Sequence, residues 1–146
     1  MELWELCARE HIRDTLARYN WSGDALKLDE LAQTFCEDGQ LELRGSAPVR
    51  GREAIIAFLQ SAVAAPSAVA QASGVTRIVR HNVTNIRFTE VTPHEARVAC
   101  YFTVFTEIGI DHFGRYRDVF VPDDGQWLIS HRFVSTDWHA PDSTMA

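Results

Sequence analysis

Three side chains in this sequence have the type and placement needed for proton transfer at carbon: Tyr19, Asp24 and His81. An imidazole oriented by a carboxylate is a general base that works near neutral pH, and a buried phenol is a hydrogen-bond donor for a departing or developing oxygen. Tyr19 and Asp24 fall in IRDTLARYNWSGD (12–24), which reads as the end of an amphipathic helix. Ile12, Leu16 and Tyr19 lie four and three residues apart and so share one face. Ser22-Gly23 is a helix-stop signal that sets Asp24 just beyond the last turn. His81 opens HNVTNIRF (81–88), β-branched and aromatic enough to predict a strand. The three groups meet in one cavity only if the inner face of that helix lies against the start of that strand.

The elements that must hold them follow from periodicity and breakers. A first helix is predicted over 3–21, and a second over 28–35, with Leu28, Leu31, Ala32 and Phe35 on one face. Asp38-Gly39 breaks it, 40–44 alternates as a short strand, and a third helix over 52–65 ends at Pro66. The small residues of 66–75 suit a mobile pocket edge. Four β-rich runs follow, 76–90, 96–108, 112–122 and 126–138, separated by Thr92-Pro93, 109–111 and Asp123-Asp124-Gly125. Short turns between successive strands imply an antiparallel meander. Three helices ahead of it give one α+β domain over 1–146, with the helices packed on one face of a curved sheet. Both parities of 96–106 carry apolar residues, so the outer face of the sheet is expected to be covered, most simply by another copy of the chain. The tail after Trp138 is expected to be loose unless it closes the pocket or crosses to a neighbouring subunit.

Composition narrows the function classes. The chain has 146 residues, 46% of them hydrophobic, and a net charge of −6. Lys27 is its only lysine, so no positive face exists to track phosphates and a nucleic-acid partner is not expected. Cys7, Cys36 and Cys100 form no CxxC pair, and Asp137, His139 and His131 match no ligand spacing, so neither a metal nor a redox motif is indicated. The charged start and the lack of a long apolar run point to a cytoplasmic protein with no membrane segment. Arg117-Asp118 reads as a structural ion pair or an interface element.

The same residues carry a family resemblance that spans nearly the whole chain. LDELAQTFCEDG (28–39), GREAIIAFL (51–59), RHNVTNIRF (80–88), GRYRDVFVPDDGQW (114–127) and LISHRFVSTDW (128–138), with the helix bearing Tyr19 and Asp24, resemble the SnoaL-like branch of the NTF2-like superfamily. That branch includes scytalone dehydratase, bile-acid 7α-dehydratase and hexachlorocyclohexane dehydrochlorinase. The resemblance implies a cone-shaped α+β barrel, a carboxylate–histidine pair at Asp24 and His81, and a tyrosine five residues before the carboxylate at Tyr19. It also implies a homo-oligomer, a trimer or a dimer, joined through the sheet, with the segment from Asp137 near the boundary. In the bile-acid enzyme pattern a further carboxylate lies on the strand matching 101–105, where this chain reads YFTVF. The dehydrochlorinase lysine is replaced by Tyr19.

The expectation is therefore a cofactor-independent lyase for a small, largely apolar, oxygenated ring compound. His81 would abstract a proton, Asp24 would orient His81, and Tyr19 would donate to the substrate oxygen. Tyr101, Tyr116, His131 and Trp138 are the candidate pocket lining, as aromatic walls suit such a substrate. Isomerisation or cyclisation needs the same first step. A non-catalytic binding or accessory subunit is the rival reading, favoured if Asp24 lies beyond hydrogen-bond reach of His81 or if side chains fill the pocket.

Overall fold

A computed structural model describes residues 1–63, 71, 72, 74 and 76–145. In chain order it contains α1 (Leu3–Asp24), α2 (Leu28–Ala32), β1 (Phe35–Leu43), β2 (Val49–Arg50), α3 (Arg52–Ser61), β3 (Arg80–Val91), β4 (Ala96–Thr106), β5 (Gly109–Asp123) and β6 (Gln126–His139). The strands form one sheet in the order β2-β1-β6-β5-β4-β3. β3 to β6 are the expected antiparallel meander, and β1 adds to β6 in parallel. The helices precede the meander in an α+β, cystatin-like arrangement, with α1 packed against β3 and β6. Most of 66–75, read as a pocket edge, lies outside the described residues. Among the described residues no helix is long and apolar enough to cross a membrane.

Several boundaries differ from expectation by a few residues, α3 ending at Ser61, β3 starting at Arg80 and β5 at Gly109, and two of the differences have a steric reason. α1 runs through Ser22-Gly23 and ends on Asp24. Its stop is made further on, where the Lys27 N–H bonds to the Ser22 carbonyl and the Leu26 N–H to the Gly23 carbonyl, with Leu26 at φ 57° in the left-handed position usually given to glycine. Gly23 serves packing instead, since a β-carbon there would lie 3.1 Å from the Leu31 side chain of α2. Similarly, Phe35 ends no helix. It begins β1, and Asp38-Gly39 forms a bulge within that strand, where a Gly39 β-carbon would stand 2.9 Å from the Ile129 carbonyl of β6. The phenyl-bearing face expected of a second helix thus belongs to the sheet.

The hydrophobic core packs Ile12, Leu16 and Tyr19 of α1 against Phe35, Val98, Cys100, Phe102, Tyr116 and Phe120. At its centre sits a charge. Arg132 of β6 donates through Nε and Nη2 to both carboxylate oxygens of Asp118 on β5, at 2.9 and 2.8 Å, and neither side chain is exposed. The guanidinium lies 4.2 Å from the ring centre of Tyr19 and 3.9 Å from that of Tyr116. Asp118 therefore pairs across strands, whereas Arg117, its chain neighbour, points to the opposite face as alternate strand residues must. Of the two readings of Arg117-Asp118, the ion pair between them does not form, because Asp118 is taken by Arg132. Burial raises the Cys36 thiol, with Asp38 beside it adding to the shift, and pushes the Cys100 thiol up to about 12, so both behave as small core residues.

The tail is not loose. The Ala140 N–H donates to the Asp111 carbonyl at 2.7 Å, Ser143 Oγ to Asp111 Oδ1 at 2.6 Å and Arg77 Nη2 to Thr144 Oγ1 at 2.8 Å, while Met145 packs on the core. The fully buried Asp111 anchors this segment to the start of β5.

Replacing Asp118 with Ala strands a buried guanidinium and is expected to cost about 3–5 kcal/mol in urea unfolding. The double change Asp118→Ala with Arg132→Met, which removes both charges, should recover most of that loss. A double variant no more stable than Asp118→Ala would mean that the pair is not what sets the cost.

Candidate active site

β3 is an edge strand, so its outward N–H groups lack a strand partner. α1 lies beside that edge, and its last helical residue supplies the missing acceptor. Asp24 Oδ2 accepts the His81 backbone N–H at 2.9 Å, and Asp24 Oδ1 meets His81 Nδ1 at 2.6 Å. One carboxylate thus grips one residue at two points. With Asp24 ionised, the Nδ1 contact selects the tautomer protonated at Nδ1, which leaves the Nε2 lone pair as the basic site. The Asp24 and His81 side chains are only 12% and 21% exposed, so their interaction is screened less than a surface pair would be.

The dyad forms part of the wall of a half-open cavity of about 810 Å³ between α1 and β3. Leu16, Ala17, Val83 and Ile86 give the wall its apolar part, and Arg13, Asn20, Arg80 and Asn82 add polar groups. Val83 and Ile86 both face this space although they are three residues apart. A bulge at Asn85, φ 54°, between the pairs Thr84–Tyr101 and Arg87–Ala99, shifts the strand's parity. The cavity is large enough for a small molecule and carries the Asp24–His81 pair on its wall.

The structure brings Asp24 and His81 together and places the other candidates elsewhere. Tyr19 is buried in the core, edge-on to Phe35 and Tyr116 at 6.0 and 6.2 Å, and lies outside the wall of the α1–β3 cavity. Burial raises its phenol above its ordinary pKa, while the nearby Arg132 opposes that shift. Tyr116 stacks on Phe102 at 4.6 Å within the same core. Tyr101 is 52% exposed on the convex face. Trp138, also exposed, stacks on Phe113 at 5.5 Å. His131 approaches Glu42 with its Nε2 at 3.1 Å and borders a shallow groove with Arg97 and Arg117. None of Tyr101, Tyr116, His131 and Trp138 lines the α1–β3 cavity.

Sequence reasoning missed most of the cavity wall. Arg13, Ala17 and Asn20 precede Asp24 by eleven, seven and four residues, a helical spacing that places all of them on its side of α1. It also missed a second carboxylate–imidazole pair, Asp111–His112, joined at 2.7 Å beneath the tail. Burial lowers the His112 pKa below its ordinary 6.5, outweighing the opposing pull of Asp111. An unfolded His112 takes up its proton at higher pH than the folded one. Its contribution to stability is therefore present above about 6.5 and is lost as pH falls through the lower folded value. Acidification below pH 6.5 should destabilise the protein, and His112→Gln should flatten that part of the profile in thermal melts.

Among the described residues no group of three or more His, Cys, Asp or Glu side chains is arranged to hold a metal ion. The SnoaL-like domain model matches residues 4–133. No curated protein matches the sequence. Solved structures do. A variant of Rv3472, a protein of unknown function from Mycobacterium tuberculosis, is 26% identical with TM-score 0.71, covering 93% of this chain and 75% of that one. A Catenulispora acidiphila protein in complex with S-DNPA is 27% identical with TM-score 0.72, over 88% of this chain and 92% of the other. A putative scytalone dehydratase from Novosphingobium aromaticivorans has TM-score 0.76 at 23% identity over 99% and 96% of the two chains, a likeness of fold.

Proposed function

The chain belongs to the SnoaL-like domain family, and we propose that it is a lyase of the dehydratase type, working without a cofactor on a small apolar oxygenated ring compound. The observation that carries this reading is the two-point grip of Asp24 on His81 at the wall of the α1–β3 cavity. His81 Nε2 takes a proton from the carbon beside a carbonyl, and the electron pair moves onto the carbonyl oxygen. Asp24 faces the positive charge that the imidazole then carries. The pair returns to form the carbon–carbon double bond as the neighbouring C–O bond breaks. The departing hydroxyl recovers the proton from His81 and leaves as water. Isomerisation or ring closure would share the first step. The S-DNPA complex of the Catenulispora protein supports small-molecule binding by this fold. The free thiols Cys7, Cys36 and Cys100 fit a reducing, cytoplasmic setting.

Screening against hydroxylated cyclic ketones and phenols is the route to a substrate. On that substrate, His81→Ala and Asp24→Asn are each expected to lower turnover roughly 10²–10⁴-fold with the fold intact by circular dichroism. Full activity in either variant would remove the base.

We further propose a homo-oligomer, trimer in preference to dimer, joined through the convex face of the sheet. Tyr101, Phe105, Phe113 and Trp138 expose apolar surface there, at 52%, 40%, 39% and 45%. Sedimentation at micromolar concentration should give a multiple of 16.5 kDa. A clean monomer would show that this face is left to solvent.

A further inference from the structure

Among the described residues, Asn20 is the polar side chain of the cavity wall that is buried and still has an unused donor. It is 6% exposed, and its Nδ2 has no partner. The other polar groups of the wall differ. Asp24 and His81 bond to each other, Arg80 Nη1 donates to the Val79 carbonyl, Asn82 is exposed, and Arg13 is exposed and lies over the Phe88 ring. A buried amide donor without an acceptor weakens a fold. Arg132 Nη1 and Ser135 Oγ also lack partners, but of the buried unpartnered atoms among the described residues only that of Asn20 belongs to a residue of this cavity wall, where a ligand can bring the acceptor.

Position adds to this. Asn20 and Asp24 are one helical turn apart on the same side of α1, about 6 Å along the axis. Tyr19, the preceding residue, is turned about 100° around the helix and faces the core. The phenol is thereby committed to Arg132 and Tyr116, while the amide borders the space that His81 faces.

We infer that the Asn20 side-chain amide is the hydrogen-bond donor to the substrate's carbonyl oxygen, making this end of the cavity a site for an enolate or phenolate oxygen. The inference rests on the proposed proton abstraction. As His81 removes the proton, negative charge grows on that oxygen, and the Asn20 N–H contact strengthens with it, which is the condition for a contact to accelerate the step. As placed, Nδ2 is closed off from solvent; a half-turn about χ2 exchanges it with the carbonyl oxygen, and an anionic oxygen in the cavity selects the orientation that turns the N–H₂ toward it.

The test uses 4-nitrophenolate as a mimic of the enolate and 4-nitroanisole as a neutral analogue of the same shape. Both are titrated into the purified full-length protein above neutral pH. Wild type is expected to prefer the phenolate. Asn20→Leu, similar in shape but without a donor, should lose that preference by roughly tenfold while binding the anisole as before, and its melting temperature should not fall. Asn20→Asp, which offers a negative charge instead, should bind the phenolate more weakly still. Three results would overturn the proposal: no phenolate binding by wild type, unchanged phenolate binding by Asn20→Leu, or equal loss of both probes with a lower melting temperature, the mark of a structural role. The base is judged separately. Discrimination between the probes that depends on Asn20, alongside full turnover in His81→Ala, would keep the donor and discard the base.

Discussion

A fully buried guanidinium constrains everything around it. Arg132 is held by both oxygens of Asp118 and flanked by the rings of Tyr19 and Tyr116, so β5, β6 and α1 are fixed to one point. Buried ion pairs seldom add net stability over apolar residues of equal volume, because desolvating two charges is costly. What this one specifies is geometry. With the Tyr19 ring pinned against Arg132, α1 cannot rotate about its axis. That fixes which of its residues face the edge of β3, and Asn20 and Asp24 are among them. The site at one side of the helix is thus set by a core contact at the other.

The placement of Asp24 runs against the electrostatics of its own helix. The C-terminal end of a helix carries partial negative charge and favours cations, and the last turn of α1 contains no basic residue. The carboxylate is held there by two N–H groups of His81, one from the backbone and one from the ring. The same end dipole that disfavours the carboxylate favours a positive imidazole next to it. Helix end and carboxylate therefore act together on the charge that His81 would acquire as a base. The end itself is closed by Leu26 in a left-handed conformation, where glycine would be less strained.

The meander, the α+β class and the inward face of α1 were legible in the sequence because each depends on local pattern. The pairing of Asp24 with His81 was reached from residue types and a family resemblance, and the two groups meet across 57 residues of chain. What was not legible depended on contacts between distant segments. Gly23 looks like a helix stop until α2 is seen against it. Phe35 fits a helical face until β6 offers a parallel partner. Asp118 seems matched to its neighbour Arg117, but strand alternation sends the two to opposite faces and β6 supplies Arg132. Tyr101, Tyr116, His131 and Trp138 suit a pocket lining by their aromatic or polar chemistry. Strand parity and the core decided their places, and the cavity that formed is bounded by α1 and β3 instead.

The edge position of β3 gives the dyad a second meaning. An unpaired strand edge is a template on which other chains can add, and proteins protect such edges from pairing. Here the Asp24 carboxylate occupies one of the exposed N–H groups, and α1 lies along the same margin. The group that orients the imidazole also keeps the sheet closed to strand addition. Removing this carboxylate would free the His81 ring and open a hydrogen-bonding edge at once, so the aspartate carries a structural duty that does not depend on any chemistry at the imidazole.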